Sequence, residues 1–169
     1  RDRAQAPSRA PLWRRGGRAL IGAAMASAAI AATLLALVPT RNHGEPSLAS
    51  VERAARRGAA QPAPRVEGGD PPVLDARVGA LSFPDWRRSF GWKAVGARHD
   101  SISGREVTTV VYRNPDGARL GYSVVAGPPL GEHPHGREVT RAGKAYRVAG
   151  AGERTLVTWT QQGHTCVIV

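Results

Sequence analysis

Glu106-Val-Thr-Thr-Val-Val-Tyr-Arg113, Asn114-Pro-Asp-Gly117 and Ala118-Arg-Leu-Gly-Tyr-Ser-Val-Val-Ala126 are three consecutive stretches whose reading decides the fold. The first is rich in β-branched residues, which suit a pleated, half-buried surface. The second is a turn signal, with Pro, Asp and Gly where a chain reverses. The third answers the first and puts Leu120, Tyr122 and Val124 on one face. Together they predict a β-hairpin.

Working outward, 92–98 reads as a strand leading to the turn Ser101-Ile-Ser-Gly104. Strands at 144–148 and 155–160 flank Gly150-Ala-Gly-Glu153, and Gln161-Gln-Gly163 turns a last strand, 164–169, back on its neighbour. Pro84-Asp-Trp-Arg-Arg-Ser-Phe90 suits a short helical turn, with Pro at an early position. Six strands in 81–169 predict a small antiparallel β-meander with one covered face. Trp86, Phe90, Trp92, Tyr112, Tyr122, Tyr146 and Trp159 are the large contributors to that face. The twelve Lys and Arg of this part would then decorate the open face, and the apolar content suffices for one thin core without a deep cleft.

Upstream, residues 39–80 mix Pro, Gly and charge and lack apolar mass, as a flexible stalk does. Within it Leu48, Val51 and Ala55 share one face after Ser47, which predicts a short helix over 47–60. Before the stalk, 19–38 is twenty residues without a charge, bracketed by Arg18 and Arg41. As a helix it would rise about 30 Å, the thickness of a bilayer's hydrocarbon core. Pro39 closes it. Six Arg and one acid in 1–18 make that a basic cytoplasmic juxtamembrane segment and put 81–169 outside. A cleaved secretory signal is the competing reading. Its apolar region is shorter, roughly 7–15 residues, and no small-x-small cleavage site follows Val38. The expected fold class is therefore a membrane-anchored, mainly β protein: one transmembrane helix, a Pro/Ala/Gly-rich stalk and a small outer β domain.

The 169 residues carry 24 Lys+Arg against 13 Asp+Glu, a net +11. Nucleic-acid binding is one reading of such an excess, but the densest basic run abuts the apolar stretch and is explained by membrane topology, so no nucleic acid is expected. The single Cys excludes an internal disulfide framework and a multi-Cys zinc module within this chain.

Two clusters have ligand-type residues: His133-Pro-His135 and His164-Thr-Cys166. On extended chain each pair shares a face, so a zinc, copper or haem site is geometrically conceivable. The plainer reading makes the first pair a solvated loop and the second a sheet face. Cys166 is a buried small hydrophobe, a redox thiol or an intermolecular disulfide partner. Trp159 with His164 and Cys166 forms either a functional patch or ordinary cross-strand packing. No Gly-x-Ser-x-Gly elbow, no His-Glu-x-x-His and no phosphate-binding Gly-Lys-Ser/Thr loop occurs, and Asp85, Asp100 and Glu106 show no distinctive pairing. No enzyme activity, catalytic residue or cofactor is expected.

Pro84-Asp-Trp86, Phe90-Gly-Trp92, Gly96-Ala-Arg98, Thr108-Thr-Val-Val-Tyr112 and Trp159…Gly163-His-Thr-Cys166 resemble the extracytoplasmic region of anti-sigma-factor-like single-pass membrane proteins of actinobacteria. The likeness covers roughly 81–169, with anchor and stalk in the order that family shows. It implies a regulatory or sensor ectodomain that binds an extracytoplasmic ligand or protein. Such proteins carry a cytoplasmic zinc-binding domain with His-x-x-x-Cys-x-x-Cys. Residues 1–18 contain no His and no Cys, so a sigma factor would be held only through a domain this sequence lacks. The expected partners are membrane lipid through 19–38 and an outer ligand. The alternative is a secreted or anchored metal-, haem- or redox-binding module using His133, His135, His164 and Cys166.

Overall fold

The hairpin lies in the inner part of a seven-stranded antiparallel sheet. The computed structural model describes residues 44–131, 135–151 and 153–169. Among them run α1 (Leu48–Arg56), β1 (Val66–Gly68), β2 (Val73–Val78), β3 (Leu81–Pro84) and α2 (Arg87–Phe90). β4 (Lys93–Ile102), β5 (Arg105–Arg113), β6 (Arg119–Val125), β7 (Arg137–Arg141), β8 (Lys144–Ala151), β9 (Arg154–Gln161) and β10 (His164–Ile168) follow. The protein is thus mainly β, with antiparallel sheets and few helices. The expected transmembrane helix at 19–38, the basic segment 1–18 and the start of the stalk lie outside the described residues. Among the described residues no helix is long and apolar enough to cross a membrane.

The large sheet has the order β4-β5-β6-β10-β9-β8-β7, and β1-β2-β3 form a second sheet. This is more than the simple meander expected. β4 to β6 run as one meander and β7 to β10 as another, and β10 closes the two by pairing with β6, Thr165 opposite Val125 and Ile168 opposite Tyr122. The last strand is therefore a central one, which explains its unbroken burial over Thr165, Cys166 and Val167. Three hairpins turn on two residues each, Ser103-Gly104, Ala142-Gly143 and Gln162-Gly163, all with positive φ. That is the turn whose twist matches paired strands.

Both faces of the sheet centre are covered, not one. β5 is buried from Val107 through Tyr112 without alternation, the mark of a strand packed on two sides. On one face Val110, Tyr112, Tyr122, Val124 and Cys166 meet Leu74, Val78, Leu81 and Phe83 of the small sheet. On the other, Val107, Val125, Leu156 and Val167 meet Leu48 and Val51 of α1. The expected open face bearing the basic side chains is absent at the sheet centre. Phe90, expected in the core, is 69% exposed at the end of α2. Phe83, Leu74 and Leu81 supply the buried bulk instead, at about 1.5–3 kcal/mol per side chain.

Both covering layers include segments read from sequence as a stalk. α1 begins after Ser47, whose hydroxyl accepts from the Ser50 N–H at 3.2 Å, and Arg53 and Arg56 in its last turn suit the helix dipole. It ends at Arg56, short of the expected 60, because Ala60 and Gln61 donate their N–H groups to the Ala97 carbonyl on edge strand β4. The described part of 39–80 is thus a folded part of the domain. Its elements look too thin to fold because each buries only a few side chains. They need no core of their own when they close one that the sheet already presents.

Two glycines record how close this packing is. A Cβ on Gly121 of β6 would fall inside contact distance of the Ala55 carbonyl oxygen, and one on Gly96 of β4 would collide with the Ala59 side chain. These are sites of close backbone approach within strands.

Candidate functional site

The aromatic side chains gather on the face shared by the two sheets. Trp159 on β9 lies directly opposite Cys166 on β10, and adjacent strands bring Tyr122 and Tyr146 alongside. Ring centroids run from Tyr112 to Trp86 at 4.9 Å, Trp86 to Tyr122 at 5.7 Å, Tyr122 to Trp159 at 5.3 Å and Trp159 to Tyr146 at 5.6 Å. Phe83 meets Tyr122 edge to face at 4.9 Å. Lys144 closes the row, its Nζ 5.3 Å from the Trp159 ring centre and 5.8 Å from that of Tyr146, a cation–π arrangement. Gln161 Oε1 accepts from both Lys144 Nζ at 2.5 Å and Trp159 Nε1 at 3.0 Å.

Burial shifts the ionisable groups of this face toward their neutral forms. It pushes the hydroxyls of Tyr112 and Tyr122 well above the ordinary tyrosine range. It raises the Cys166 thiol too, so the nucleophilic thiolate is disfavoured. Desolvation lowers Lys144. Cys166 is wholly buried, and its Sγ accepts from Tyr122 Oη at 3.5 Å. Tyr112 Oη donates to the Pro84 carbonyl at 2.9 Å, tying β5 to the end of β3.

Two of the three acids with no visible pairing in sequence, Asp85 and Asp100, are paired in space; Glu106 has no ion pair among the described residues. Asp85 is 5% exposed, and Arg87 grips it through Nε at 3.0 Å to Oδ1 and Nη2 at 2.9 Å to Oδ2. That hydrogen bonding holds the Asp85 carboxyl below the usual carboxylate range. Asp100 is held likewise by Arg98 at 2.6 and 2.7 Å, with Arg57 at 3.5 Å. Both stay ionised and engaged.

Of the residues singled out from sequence, the structure brings Trp159 and Cys166 together within the packed row. His164 stands at the start of β10, where its Nδ1 accepts from the Gly127 N–H at 3.2 Å. Its Nε2 lies near the Gly79 turn between β2 and β3. His135 is exposed just before β7, and His133 lies outside the described residues. Among the described residues no three His, Cys, Asp or Glu side chains form a group able to hold a metal. Lys144 and Gln161, which complete the aromatic row, were not singled out from sequence. The signal was a Lys and a Gln two residues from Tyr146 and Trp159, hence on the same faces of their strands.

No family model, curated protein or solved structure matches this chain.

Proposed function

We propose that this chain is a membrane-anchored regulatory protein of the anti-sigma-factor-like kind, whose outer β domain binds a ligand or protein and reports inward without catalysis. The observation that carries this reading is the uncharged stretch 19–38 between Arg18 and Arg41, with six arginines before it. The fold supports it by where the module starts. α1 begins at Leu48, ten residues after Val38, so the first layer of the domain is close in sequence to the span. A report across a membrane requires a ligand that distinguishes two states of the outer domain. The docking of α1 on β6 and β10 is a two-layer contact whose loosening would reach the span through a short link.

A binding role is supported by the state of the candidate reactive groups. The buried thiol and phenols are driven toward their neutral forms, and Asp85 and Asp100 are locked to arginines. Such groups pack and orient. They are poorly placed for nucleophilic or general-base work.

The reading is tested on cells expressing the whole chain. Alkali-washed membranes should retain it, and protease added outside should reach the β domain. Leu34→Arg with Leu35→Arg should release it from the membrane fraction, each charge costing about 2.5–3.5 kcal/mol on the insertion scale. Release of the parent protein by alkali, or retention of the double variant, would refute the anchor.

A further inference from the structure

Like charges face each other across strands, against the usual preference, at two places in the large sheet: Arg141 opposite Lys144 on β7 and β8, and a longer row at one end of β4, β5 and β6. Lys93 on β4 stands directly opposite Arg113 on β5, and Arg113 directly opposite Arg119 on β6. Neighbouring strands lie about 4.8 Å apart, so three cations occupy a row of roughly 10 Å. Beyond Arg119 the surface dips into a cavity of about 550 Å³ that Arg119 lines together with Arg56 and Arg154. All five side chains are exposed.

Elsewhere six arginines are neutralised, while Arg53, Arg65, Arg88, Arg137 and Arg141 stand without a carboxylate partner among the described residues but do not form a row of three across adjacent strands. Arg57, Arg77, Arg87, Arg98, Arg105 and Arg147 each face a carboxylate. Arg56 pairs with Glu52 at 3.4 Å along α1. Lys93, Arg113, Arg119 and Arg154 have no carboxylate partner among the described residues. The acids nearest in sequence are Asp116, which accepts from Asn114 Nδ2 within the β5–β6 turn, and Glu153 beside Arg154. A protein can hold such a row at some cost in self-repulsion, and departures of this kind gather where a surface meets a partner.

We propose that this sheet end, the row Lys93–Arg113–Arg119 with the adjoining Arg56/Arg154 cavity, binds a linear polyanion carrying repeated phosphate groups. The charges are solvated, so any one of them would hold a lone anion weakly. Affinity comes only when several act together and release counterions from a continuous chain. The forked guanidinium groups suit phosphate oxygens. The site lies at the opposite end of β5 from Arg105, which pairs with Glu45 near the start of the described chain. The inference does not rest on the membrane reading.

The test uses the full chain in neutral detergent micelles with fluorescent inorganic polyphosphate as the probe. Two variants of equal net charge are compared: Arg113→Gln/Arg119→Gln at the site, and Arg137→Gln/Arg141→Gln on the exposed edge strand β7. The arginines of 1–18 add the same background to every variant. The site variant should bind at least tenfold more weakly, with a log–log salt slope shallower by about 1.4, since each phosphate contact contributes roughly 0.7. The β7 variant should match the parent. Inorganic phosphate should compete only at far higher concentration. Circular dichroism and unfolding midpoints should show both variants folded. Should Arg113→Gln/Arg119→Gln fail that check, Arg119→Gln alone is read by the salt slope. Equal loss in both variants would mean bulk charge and overturn the site. So would binding of anionic vesicles through Arg113 and Arg119 without binding of polyphosphate, or full competition by equimolar inorganic phosphate.

Discussion

Gly121→Ala tests whether 44–61 is part of the folded domain. Glycine within a strand costs roughly 0.5–1 kcal/mol relative to alanine, so with a free stalk the substitution should stabilise the protein by about that much. In the structure, however, the new methyl would press on the Ala55 carbonyl, with the carbonyl carbon at 3.0 Å and the Ala55 Cβ at 3.3 Å. These obstacles are mostly helix backbone, which cannot rotate away as a side chain can. If α1 shifts slightly, overpacking costs about 1–3 kcal/mol. If α1 leaves the sheet, Val51 at 0% and Leu48 at 9% exposure return to water, at about 1.5–3 kcal/mol each. The expected net effect is destabilisation by about 1–3 kcal/mol, a fall of roughly 4–12 °C in Tm. Urea unfolding followed by tryptophan fluorescence measures it. Val51→Ala should lessen the penalty in a double-mutant cycle, because a loosened helix yields more easily. An unchanged or raised midpoint for Gly121→Ala would refute the docked helix.

Other substitutions probe the second face and the buried polar groups. Phe83→Ala, from a wholly buried position between the sheets, should cost about 3–5 kcal/mol; urea midpoints would measure it, and a loss below 1 kcal/mol would mean the small sheet is not a true core layer. Cys166 should resist thiol reagents in the native state and react only as fast as the protein opens, with Cys166→Ala costing about 1 kcal/mol for the lost Tyr122 contact; rapid native labelling would contradict its burial. Asp85 has a folded pKa below its ordinary 3.8, so its contribution is fully present above that value and disappears as pH falls through the lower folded value. Asp85→Asn should therefore be less stable than the parent at neutral pH and show a flatter acid limb in pH-dependent unfolding, whereas parallel limbs would remove Asp85 as a source of acid sensitivity.

The elements legible in advance were those with a local signature. The β5–β6 hairpin announced itself through β-branched residues and Asn-Pro-Asp-Gly, and two of the three tight turns, Ser103-Gly104 and Gln162-Gly163, through a glycine in the second position. The helix after Ser47 was legible from its cap and the spacing of Leu48, Val51 and Ala55. What failed was burial assigned segment by segment. Leu74 and Val78 sit in a charged, Pro-flanked stretch and are buried because Tyr112, Tyr122 and Cys166 wait across the gap. Phe90 looked like core and is not: it is the last residue of a four-residue helix capped by Gly91, and its side chain is exposed. The pairing of Trp159 with Cys166 was visible in the hairpin register. The addition of Lys144 and Gln161 to that row depended on how β8 lies against β9.

From the order of residues alone came six of the ten described strands with most of their turns, the lone buried-type Cys and the charge-free stretch at 19–38, because each depends on neighbours a few positions away. Only the folded chain decided that the last strand is central, that both sheet faces are covered, and that Lys93, Arg113 and Arg119 stand abreast. Those outcomes depend on which distant segments meet, and a pairing across tens of residues leaves no periodic trace in any one of them.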